Sequence, residues 1–374
     1  MTSSSTEAAL AAPRRNMRLA AVVATLALIA FILLAAEGAI RIRQTLRFGS
    51  TQSVEDYWTL DPKSGLRVPI AGFTSGRVSI NSLGFRGPEI AVPKPPGTLR
   101  LAFLGASTTW CAEVSGQDKV WPHRVTAELG QTFPGARLDY VNAAVPGYTL
   151  DSMLKSLQHR VAPLQPDVIV IYEAGNNFSD EMRQLAAAQG IIAEAKMHEL
   201  SWPSRYSVLW NLVEKNLLVR QAQRMARANQ GRLTVDPATL GEKYRQALTE
   251  LVKAAQQQAP LVAVATFSIQ LRPGQSPEQQ ARMSESAFFF MPFVTPRLLI
   301  DGYARYNQVA REVAAETGAL LIGGENDIPG DPLHFVDTVH FSDGGAQAMA
   351  DRIHRGLATS PVLRKLVIDA APAR

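Results

Sequence analysis

The chain has 374 residues, of which 46% are hydrophobic and 19% charged, so it can form one large domain or two small ones. Its net charge of +5 comes largely from scattered arginines, without a dense basic run; this favours a solvated surface near a membrane over nucleic-acid binding. Cys111 is the only cysteine, which excludes an intrachain disulfide, and no CxxC or His/Cys cluster indicates a metal site. We interpret Cys111 as a packing residue rather than a nucleophile.

The N-terminal region predicts a membrane anchor. Residues 1–16 are rich in serine and alanine, and we expect a disordered tail there. A transmembrane helix is predicted over 17–40, because Thr25 is the only polar residue between Leu19 and Ala36. A cleaved signal peptide is the alternative, but the apolar core is long for a signal and the following Glu37 suits cleavage poorly. Three arginines lie on each side and leave the orientation open: Arg14, Arg15 and Arg18 before, and Arg41, Arg43 and Arg47 after.

Residues 41–97 are interpreted as an extended linker or accessory segment. The part from Phe48 to Pro96 is rich in Gly, Pro and Ser and has few long apolar runs. Short strands are predicted at Arg67–Ile70 and Arg77–Ile80, and Asn81-Ser-Leu-Gly-Phe-Arg-Gly-Pro88 is typical of a tight turn.

Strand and helix patterns alternate over 98–360, which we take as one domain followed by a C-terminal tail at 361–374. Five short apolar runs predict strands: Leu99–Leu104, Leu138–Asn142, Val168–Tyr172, Leu261–Phe267 and Ala319–Ile322. Amphipathic stripes between and after them predict helices: Trp121 to Phe133, Leu240 to Ala255, Tyr303 to Val313 and Ser342 to Leu357. This alternation predicts an α/β fold, a three-layer α/β/α sandwich with a mostly parallel five-stranded sheet.

Two segments interrupt the alternation. Residues 178–235 lie between the third and fourth strands, and Trp202, Leu209 and Trp210 predict a helical insertion there. The second, Leu271–Pro296, contains a run of phenylalanines. We expect such aromatic stretches to form the core of a helical cap more often than the wall of a pocket.

Four polar blocks follow predicted strands and would meet at the carboxyl edge of the sheet, where open α/β sheets bind ligands. They are Gly105-Ala-Ser107, Asn142-Ala-Ala-Val-Pro-Gly147, Gly175-Asn-Asn177 and Asp337-Thr-Val-His340. Taken alone, Ser107 is as well explained as a helix cap. In this order, the blocks closely resemble those of the SGNH hydrolases, also called the GDSL esterase/lipase superfamily, which have a flavodoxin-like fold. The resemblance covers roughly Leu99 to Leu357.

The resemblance implies a serine hydrolase site that needs no metal or organic cofactor. It implies a Ser107–His340–Asp337 triad, in which His340 takes the proton of the Ser107 hydroxyl and Asp337 orients the imidazole. It also implies an oxyanion hole made by the backbone N–H groups of Ser107 and Gly147 and the side-chain amide of Asn177. Two positions depart from the family pattern without removing any of these groups: Ala106 and Phe178 each stand where the family usually has Asp.

Two further polar residues near the blocks carry weaker signals. Glu173, which precedes Gly175, is expected to be a buried partner of the turn after the first strand. His334 lies near the Asp337–His340 block, and we interpret it as a loop residue rather than a substrate contact.

The expected reaction is hydrolysis of a small-molecule or glycan acyl ester, with acetyl as the acyl group suggested by family analogy. An O-acyltransferase that uses the same triad on an envelope glycan is the first alternative, and a catalytically inactive envelope binding or assembly protein is the second. The turn after Asn81 and the anchor resemble the membrane-tethered bacterial branch, which usually places its hydrolase domain outside the cytoplasmic membrane. We therefore expect a single-pass protein of that membrane with a periplasmic catalytic domain, and we predict no oligomeric state.

Overall fold

The computed structural model describes residues 4–48, 57–192, 201–229 and 233–370. These residues divide into two compact units, of which one comprises residues 4–48 and 201–217 and the other the rest of the described chain. Parts of the predicted N-terminal tail, linker, insertion and C-terminal tail lie outside the described residues, at 1–3, 49–56, 193–200, 230–232 and 371–374.

The first helix, α1 (Ser4–Phe48), contains the segment that we expect to be the anchor. Within it, Leu19–Thr45 includes a window with a mean hydropathy of 2.8, none of which is buried. This segment is long and apolar enough to cross a bilayer. Because α1 begins at Ser4, the structure differs from the disordered tail expected at 1–16; four alanines between residues 8 and 12 supply high helix propensity there.

Two short antiparallel hairpins form from the accessory segment. The first pairs β1 (Trp58–Leu60) with β2 (Arg67–Pro69), and the second pairs β3 (Thr74–Ser75) with β4 (Val78–Ser79). Both strands predicted in this segment are present, each shorter than expected.

A five-stranded sheet forms the centre of the second unit. Its strands are β5 (Thr98–Gly105), β6 (Arg137–Asn142), β7 (Val168–Tyr172), β8 (Leu261–Ala265) and β9 (Leu320–Ile322). The spatial order is β6-β5-β7-β8-β9, and every neighbouring pair is parallel. This is the flavodoxin-like order, with its topological switch point between β5 and β7.

Helices flank the sheet. Their bounds in chain order are α2 (Ser107–Trp110), α3 (Trp121–Thr132), α4 (Leu150–Ser156), α5 (Gly175–Ala188), α6 (Val208–Asn229), α7 (Glu242–Gln256), α8 (Pro277–Met283), α9 (Glu285–Phe290), α10 (Pro296–Thr317), α11 (Asp343–Ala358) and α12 (Pro361–Ala370). Helices α3 and α11 pack on each other, while α7 packs on both α4 and α10. These two groups cover a sheet whose strands β7 and β8 are completely buried, as parallel sheets with two covered faces require.

The structure places two segments differently from the expectation. Helix α5 continues directly from the third sheet strand and includes Phe178, so the insertion proper starts after Ala188. The expected C-terminal tail contains helix α12, which packs on α11 and β5 and buries Leu363. An apolar side chain that the sheet can cover stabilises this last helix.

From Tyr57 onward the accessory segment is part of the second unit rather than a linker, whereas residues 41–48 belong to α1 in the first unit. Its aromatic side chains surround Trp110, which follows the first polar block: the ring centroids of Trp58 and Trp110 are 5.3 Å apart, and those of Tyr57 and Trp110 are 6.4 Å apart. Ile80 and Ala144 complete this small second core. The segment therefore contacts both loops that carry the first two blocks.

Candidate active site

Ser107 follows strand β5, where the chain turns sharply into α2. The residue before it, Ala106, occupies the N-cap position, and α2 has no side-chain cap bond. The Ser107 hydroxyl is instead 2.8 Å from Nε2 of His340, which decides against the capping interpretation. The turn depends on Gly105, because a Cβ atom there would lie 2.1 Å from the Thr109 hydroxyl oxygen.

Asp337 completes a continuous chain of hydrogen bonds. Its Oδ2 lies 2.8 Å from Nδ1 of His340. Its Oδ1 accepts hydrogen bonds from the backbone N–H groups of Val339 and His340, both at 2.9 Å. The carboxylate is thus fixed by its own loop. In the neutral imidazole, Nδ1 of His340 carries the proton that Asp337 accepts, which leaves Nε2 as the acceptor for Ser107.

The electrostatics of the pair favour an ionised carboxylate. Burial opposes this, but the hydrogen bond and charge of His340, together with the backbone N–H donors, hold the pKa of Asp337 below its ordinary value. Burial likewise lowers the pKa of His340, yet the hydrogen bond to Asp337 and the negative charge of that carboxylate outweigh it. The pKa of His340 therefore lies above its ordinary value of 6.5.

The loop that carries Asp337 and His340 is supported from the 271–296 excursion. The Thr338 hydroxyl donates to the carbonyl oxygen of Met283 at 2.6 Å, and its backbone N–H donates to the Ser286 hydroxyl at 3.0 Å. Its own carbonyl accepts from the backbone N–H of Gln270 at 2.8 Å. This excursion thus has a structural role beside the candidate site, which the phenylalanine run alone did not indicate.

Gly147 lies in the loop after β6 with φ at +87°, a conformation that glycine adopts without strain. The carbonyl before it, that of Pro146, accepts a 2.8 Å hydrogen bond from the guanidinium of Arg67 in the accessory segment. Within the described residues, neither the backbone N–H of Ser107 nor that of Gly147 has a hydrogen-bond acceptor. Both donors therefore remain available to a ligand.

Asn177, in the third polar block, contacts the chain just after the second block. Its Oδ1 accepts a 3.1 Å hydrogen bond from the backbone N–H of Leu150, while Nδ2 of the neighbouring Asn176 donates at 2.8 Å to the carbonyl oxygen of Tyr148. With its oxygen engaged in this way, Asn177 keeps an amide NH₂ group as a donor. Among the described residues, no hydrogen bond joins Gly147 or Asn177 to the Ser107–His340–Asp337 chain.

Glu173 is buried next to these groups, as expected, but with different partners. Its carboxyl group accepts the backbone N–H of Asn176 at 2.6 Å and also that of Asn177, in the first turn of α5. Burial raises the pKa of Glu173 to about 8 despite these donors. Glu173 thus holds the start of α5 rather than the turn after β5.

Arg86 is a residue near the site that the sequence analysis missed. It is fully buried, and its guanidinium donates to the carbonyl oxygens of Trp110 and, at 2.8 Å, Cys111. Cys111 itself has φ at +58° and ends the short helix that begins at Ser107. The only available signal was the glycine-rich turn around Arg86, which predicted local structure but no distant partner.

Two other ionisable groups lie close to the site. Glu113 has a buried Oε2 atom without a hydrogen-bond partner in the described part of the chain, and burial raises its pKa. Burial also raises the pKa of the Cys111 thiol to about 12. A thiol that stays protonated is a poor nucleophile, which agrees with its interpretation as a packing residue.

Comparisons with known proteins were made for the whole chain. A sequence model of the GDSL-like lipase/acylhydrolase family matches residues 103–348. A search of curated proteins gives no match.

Solved structures with similar folds include Axe2, an acetylxylan esterase from Geobacillus stearothermophilus, with 16% identity, coverage of 71% of this chain and 96% of that chain, and a TM-score of 0.42. A lipase/acylhydrolase from Enterococcus faecalis has 16% identity, coverage of 70% and 95%, and a TM-score of 0.39. The hydrolase LAE5 from the metagenome of Lake Arreo, Spain, has 16% identity, coverage of 69% and 94%, and a TM-score of 0.41. The range matched by the family model contains all four polar blocks.

Proposed function

We propose that this chain, which belongs to the GDSL-like lipase/acylhydrolase family and is therefore an ester-hydrolysing enzyme, acts as a serine esterase with Ser107 as its nucleophile. The observation that carries the proposal is the unbroken chain of hydrogen bonds from Ser107 through His340 to Asp337, with both links at 2.8 Å. A serine hydroxyl becomes an effective nucleophile only when a positioned base takes its proton, and this geometry supplies such a base.

In the first half of the reaction, the Ser107 oxygen attacks the ester carbonyl carbon while its proton moves to Nε2 of His340. Asp337 stabilises the imidazolium that forms. The carbonyl oxygen becomes an oxyanion, for which we propose three donors: the backbone N–H groups of Ser107 and Gly147 and the amide of Asn177. The tetrahedral intermediate then collapses, His340 gives its proton to the leaving alcohol oxygen, and an acyl-Ser107 ester remains.

In the second half, water attacks the acyl carbon. His340 takes a proton from that water, the same donors stabilise the second oxyanion, and the proton returns to the Ser107 oxygen as the carboxylic acid leaves. Every proton in this sequence is carried by His340, so none of these steps calls on a cofactor.

We further propose that α1 anchors the enzyme in the cytoplasmic membrane with the catalytic unit on its outer side. The apolar Leu19–Thr45 segment supports membrane association. The side of the membrane follows from the resemblance to the tethered bacterial branch, and a cysteine-accessibility measurement on intact cells tests it.

The experiment that tests the esterase uses the full-length protein in detergent, with p-nitrophenyl esters of increasing acyl length and a fluorophosphonate probe. We expect wild type to hydrolyse esters and to be labelled once. Ser107→Ala should abolish labelling and lower kcat by at least about 10³-fold. Ser115→Ala is the matched control, because this nearby serine is exposed and binds Asp343 instead.

Wild-type protein that neither hydrolyses esters nor takes up the probe would support the inactive binding protein. Acyl transfer to an added glycan that outpaces hydrolysis would support the O-acyltransferase. Retained labelling in Ser107→Ala would refute the assignment of the nucleophile.

A further inference from the structure

The unit that contains α1 carries a group of exposed apolar side chains, here called the aromatic face: Trp202, Tyr206, Trp210, Val213 and Leu217. Trp202 is 70% exposed, Tyr206 67%, Trp210 49% and Leu217 58%. The ring centroids of Trp202 and Tyr206 are 5.2 Å apart, so the two large rings form one contiguous surface. Exposed apolar groups gathered in this way mark interaction sites.

The residues of the aromatic face that belong to helix α6 lie on one side of that helix. Trp210, Val213 and Leu217 follow a three- and four-residue spacing, which places them along one stripe of the helix. Lys215 is also exposed but points about 160° away from Leu217 around the helix axis. The first part of α6 is thus amphipathic, with its apolar stripe exposed.

The Glu214 carboxylate, on the same helix, already has partners. Glu214 accepts the backbone N–H of Ser201 at 2.9 Å and its hydroxyl at 2.7 Å, and also the hydroxyl of Ser204. These bonds hold the turn that carries Trp202, and Nε1 of Trp210 donates to the Ser201 hydroxyl at 3.1 Å. The aromatic rings are therefore fixed in place by polar contacts behind them.

The same unit shows where the face lies along α1. The Glu37 carboxylate accepts the backbone N–H groups of Val208 at 2.9 Å and Leu209 at 2.8 Å, and the Ser207 hydroxyl at 2.9 Å. Arg41 donates to the carbonyl oxygen of Tyr206 at 2.9 Å. Glu37 and Arg41 lie in the last turns of the Leu19–Thr45 segment, so the aromatic face begins beside the end of that segment.

We propose that the aromatic face is a second membrane-contacting surface and that its occupant is the headgroup region of the bilayer that α1 spans. Trp and Tyr concentrate at this level of a membrane, because their rings are amphipathic. An amphipathic helix with Trp and Leu on its apolar side lies in the same plane. Because the aromatic face begins beside the end of the membrane-spanning segment of α1, the lipid headgroups are the surface nearest to it. This inference rests on the proposed anchoring by α1 and does not depend on the hydrolytic chemistry.

The test uses full-length protein reconstituted in vesicles of phosphatidylcholine and phosphatidylglycerol. Trp210→Cys and Leu217→Cys place a thiol on the aromatic face, and Lys215→Cys is the matched control on the other side of the same helix. Each thiol is labelled with an environment-sensitive NBD fluorophore, and wild type is the blank, because its Cys111 is buried. Quenching is then measured with phosphatidylcholine that carries a nitroxide on its headgroup.

We expect at least twofold stronger quenching at positions 210 and 217 than at 215, together with blue-shifted NBD emission at the first two. Equal quenching at all three positions would overturn the proposal. Failure of the wild-type protein to float with the vesicles would also overturn it, because the surface requires α1 in the bilayer. Ester hydrolysis by each labelled variant, compared with wild type, reports whether the catalytic unit is intact.

Discussion

The guanidinium of Arg86 donates a 2.8 Å hydrogen bond to the carbonyl oxygen of Cys111, and through this bond the accessory segment holds the turn that follows the candidate nucleophile. Arg86 also binds the carbonyl oxygens of Trp110 and Arg77. A side chain outside all four polar blocks thus fixes the backbone on which Ser107 is carried.

Arg86→Met is expected to destabilise the protein by about 3–5 kcal/mol, because it leaves buried carbonyl groups without donors. We also expect at least a tenfold loss of kcat, since a displacement of about 1 Å at a reacting group can cost 100-fold. Denaturant unfolding and ester hydrolysis measure the two effects. Arg355→Met, at a side chain that is 62% exposed, is the control and should change stability by less than about 0.5 kcal/mol. Equal effects of the two substitutions would contradict this role for Arg86.

The pH dependence of hydrolysis reports the environment of His340. His340 must be neutral to accept the Ser107 proton, and its pKa lies above 6.5, so kcat/KM should rise with pH to a half-maximum above 6.5. The same upward shift means that the stability contributed by the protonated imidazole is fully present below 6.5 and is lost as pH rises through the folded-state pKa. A half-maximum at or below 6.5 would be inconsistent with the Asp337 contact.

Asp337→Asn removes the charge that raises the pKa of His340 and disturbs its tautomer. We expect kcat/KM to fall on the order of 10³- to 10⁴-fold. His334→Gln is the control, because His334 pairs with Asp331 in the same loop and not with the triad. The dependence of kcat/KM on pH in this variant should overlie that of wild type, and a displaced profile would contradict the assignment of the general base to His340.

Gly147→Ala should separate backbone strain from catalysis when it is compared with Gly135→Ala. Both glycines have positive φ, +87° and +93°, and a Cβ atom added at either would have no neighbouring atom closer than 3.9 Å. Each substitution should cost about 1–2 kcal/mol of stability through strain. Only Gly147→Ala should also lower kcat, by roughly 100-fold, because it shifts a proposed oxyanion donor. Similar kcat values in the two variants would remove Gly147 from the oxyanion hole.

The adjacent asparagines provide a second matched pair. Asn177→Ala and Asn176→Ala each remove one hydrogen bond between the loops after β6 and β7, so we expect similar losses of stability, about 1 kcal/mol. Asn177→Ala should in addition lower kcat by about 10²- to 10³-fold with little change in KM. If Asn176→Ala has the larger effect on kcat, the oxyanion donor has been assigned to the wrong residue.

Glu173→Gln should change how stability depends on pH. The pKa of Glu173 is raised from 4.5 to about 8 in the folded protein, so the native state binds an extra proton between these values. Wild type therefore loses stability relative to the variant as pH rises from 4.5 to 8, by at most about 1.4 kcal/mol per pH unit. Unfolding midpoints of both proteins measured at intervals over this range test the prediction. A constant difference between them would show that folding does not raise the pKa of Glu173.

The central sheet was predictable because buried parallel strands are short, continuous runs of apolar residues. Val168–Tyr172 contains no charged residue and agrees with the structure at both ends. Strand ends in a parallel sheet meet at one edge, so the polar blocks of Ser107, Asp337 and His340 could be expected to lie close together. The resemblance to the SGNH hydrolases then predicted the pairing of these three residues, two of which are 233 positions apart.

Contacts made by single side chains with distant backbone groups could not be predicted in this way. Arg86 reaches carbonyl oxygens 24 and 25 residues away, and Thr338 reaches one 55 residues away. Because every residue has a backbone carbonyl group, the sequence does not indicate which of them a distant side chain contacts. For the same reason, the integration of the accessory segment into the second unit was not apparent from its glycine and proline content.

The aromatic cluster around Trp110 has a consequence for the order in which the chain folds. Tyr57, Trp58 and Phe73 are synthesised well before Trp110 and Ala144, the residues that cover them. Until β6 has been translated, these rings lack the native residues that cover them, and they can associate with the wrong partners. The first part of the second unit to be synthesised is therefore among the last to gain its native contacts. A nascent chain stalled before residue 144 should thus be the species most dependent on chaperones.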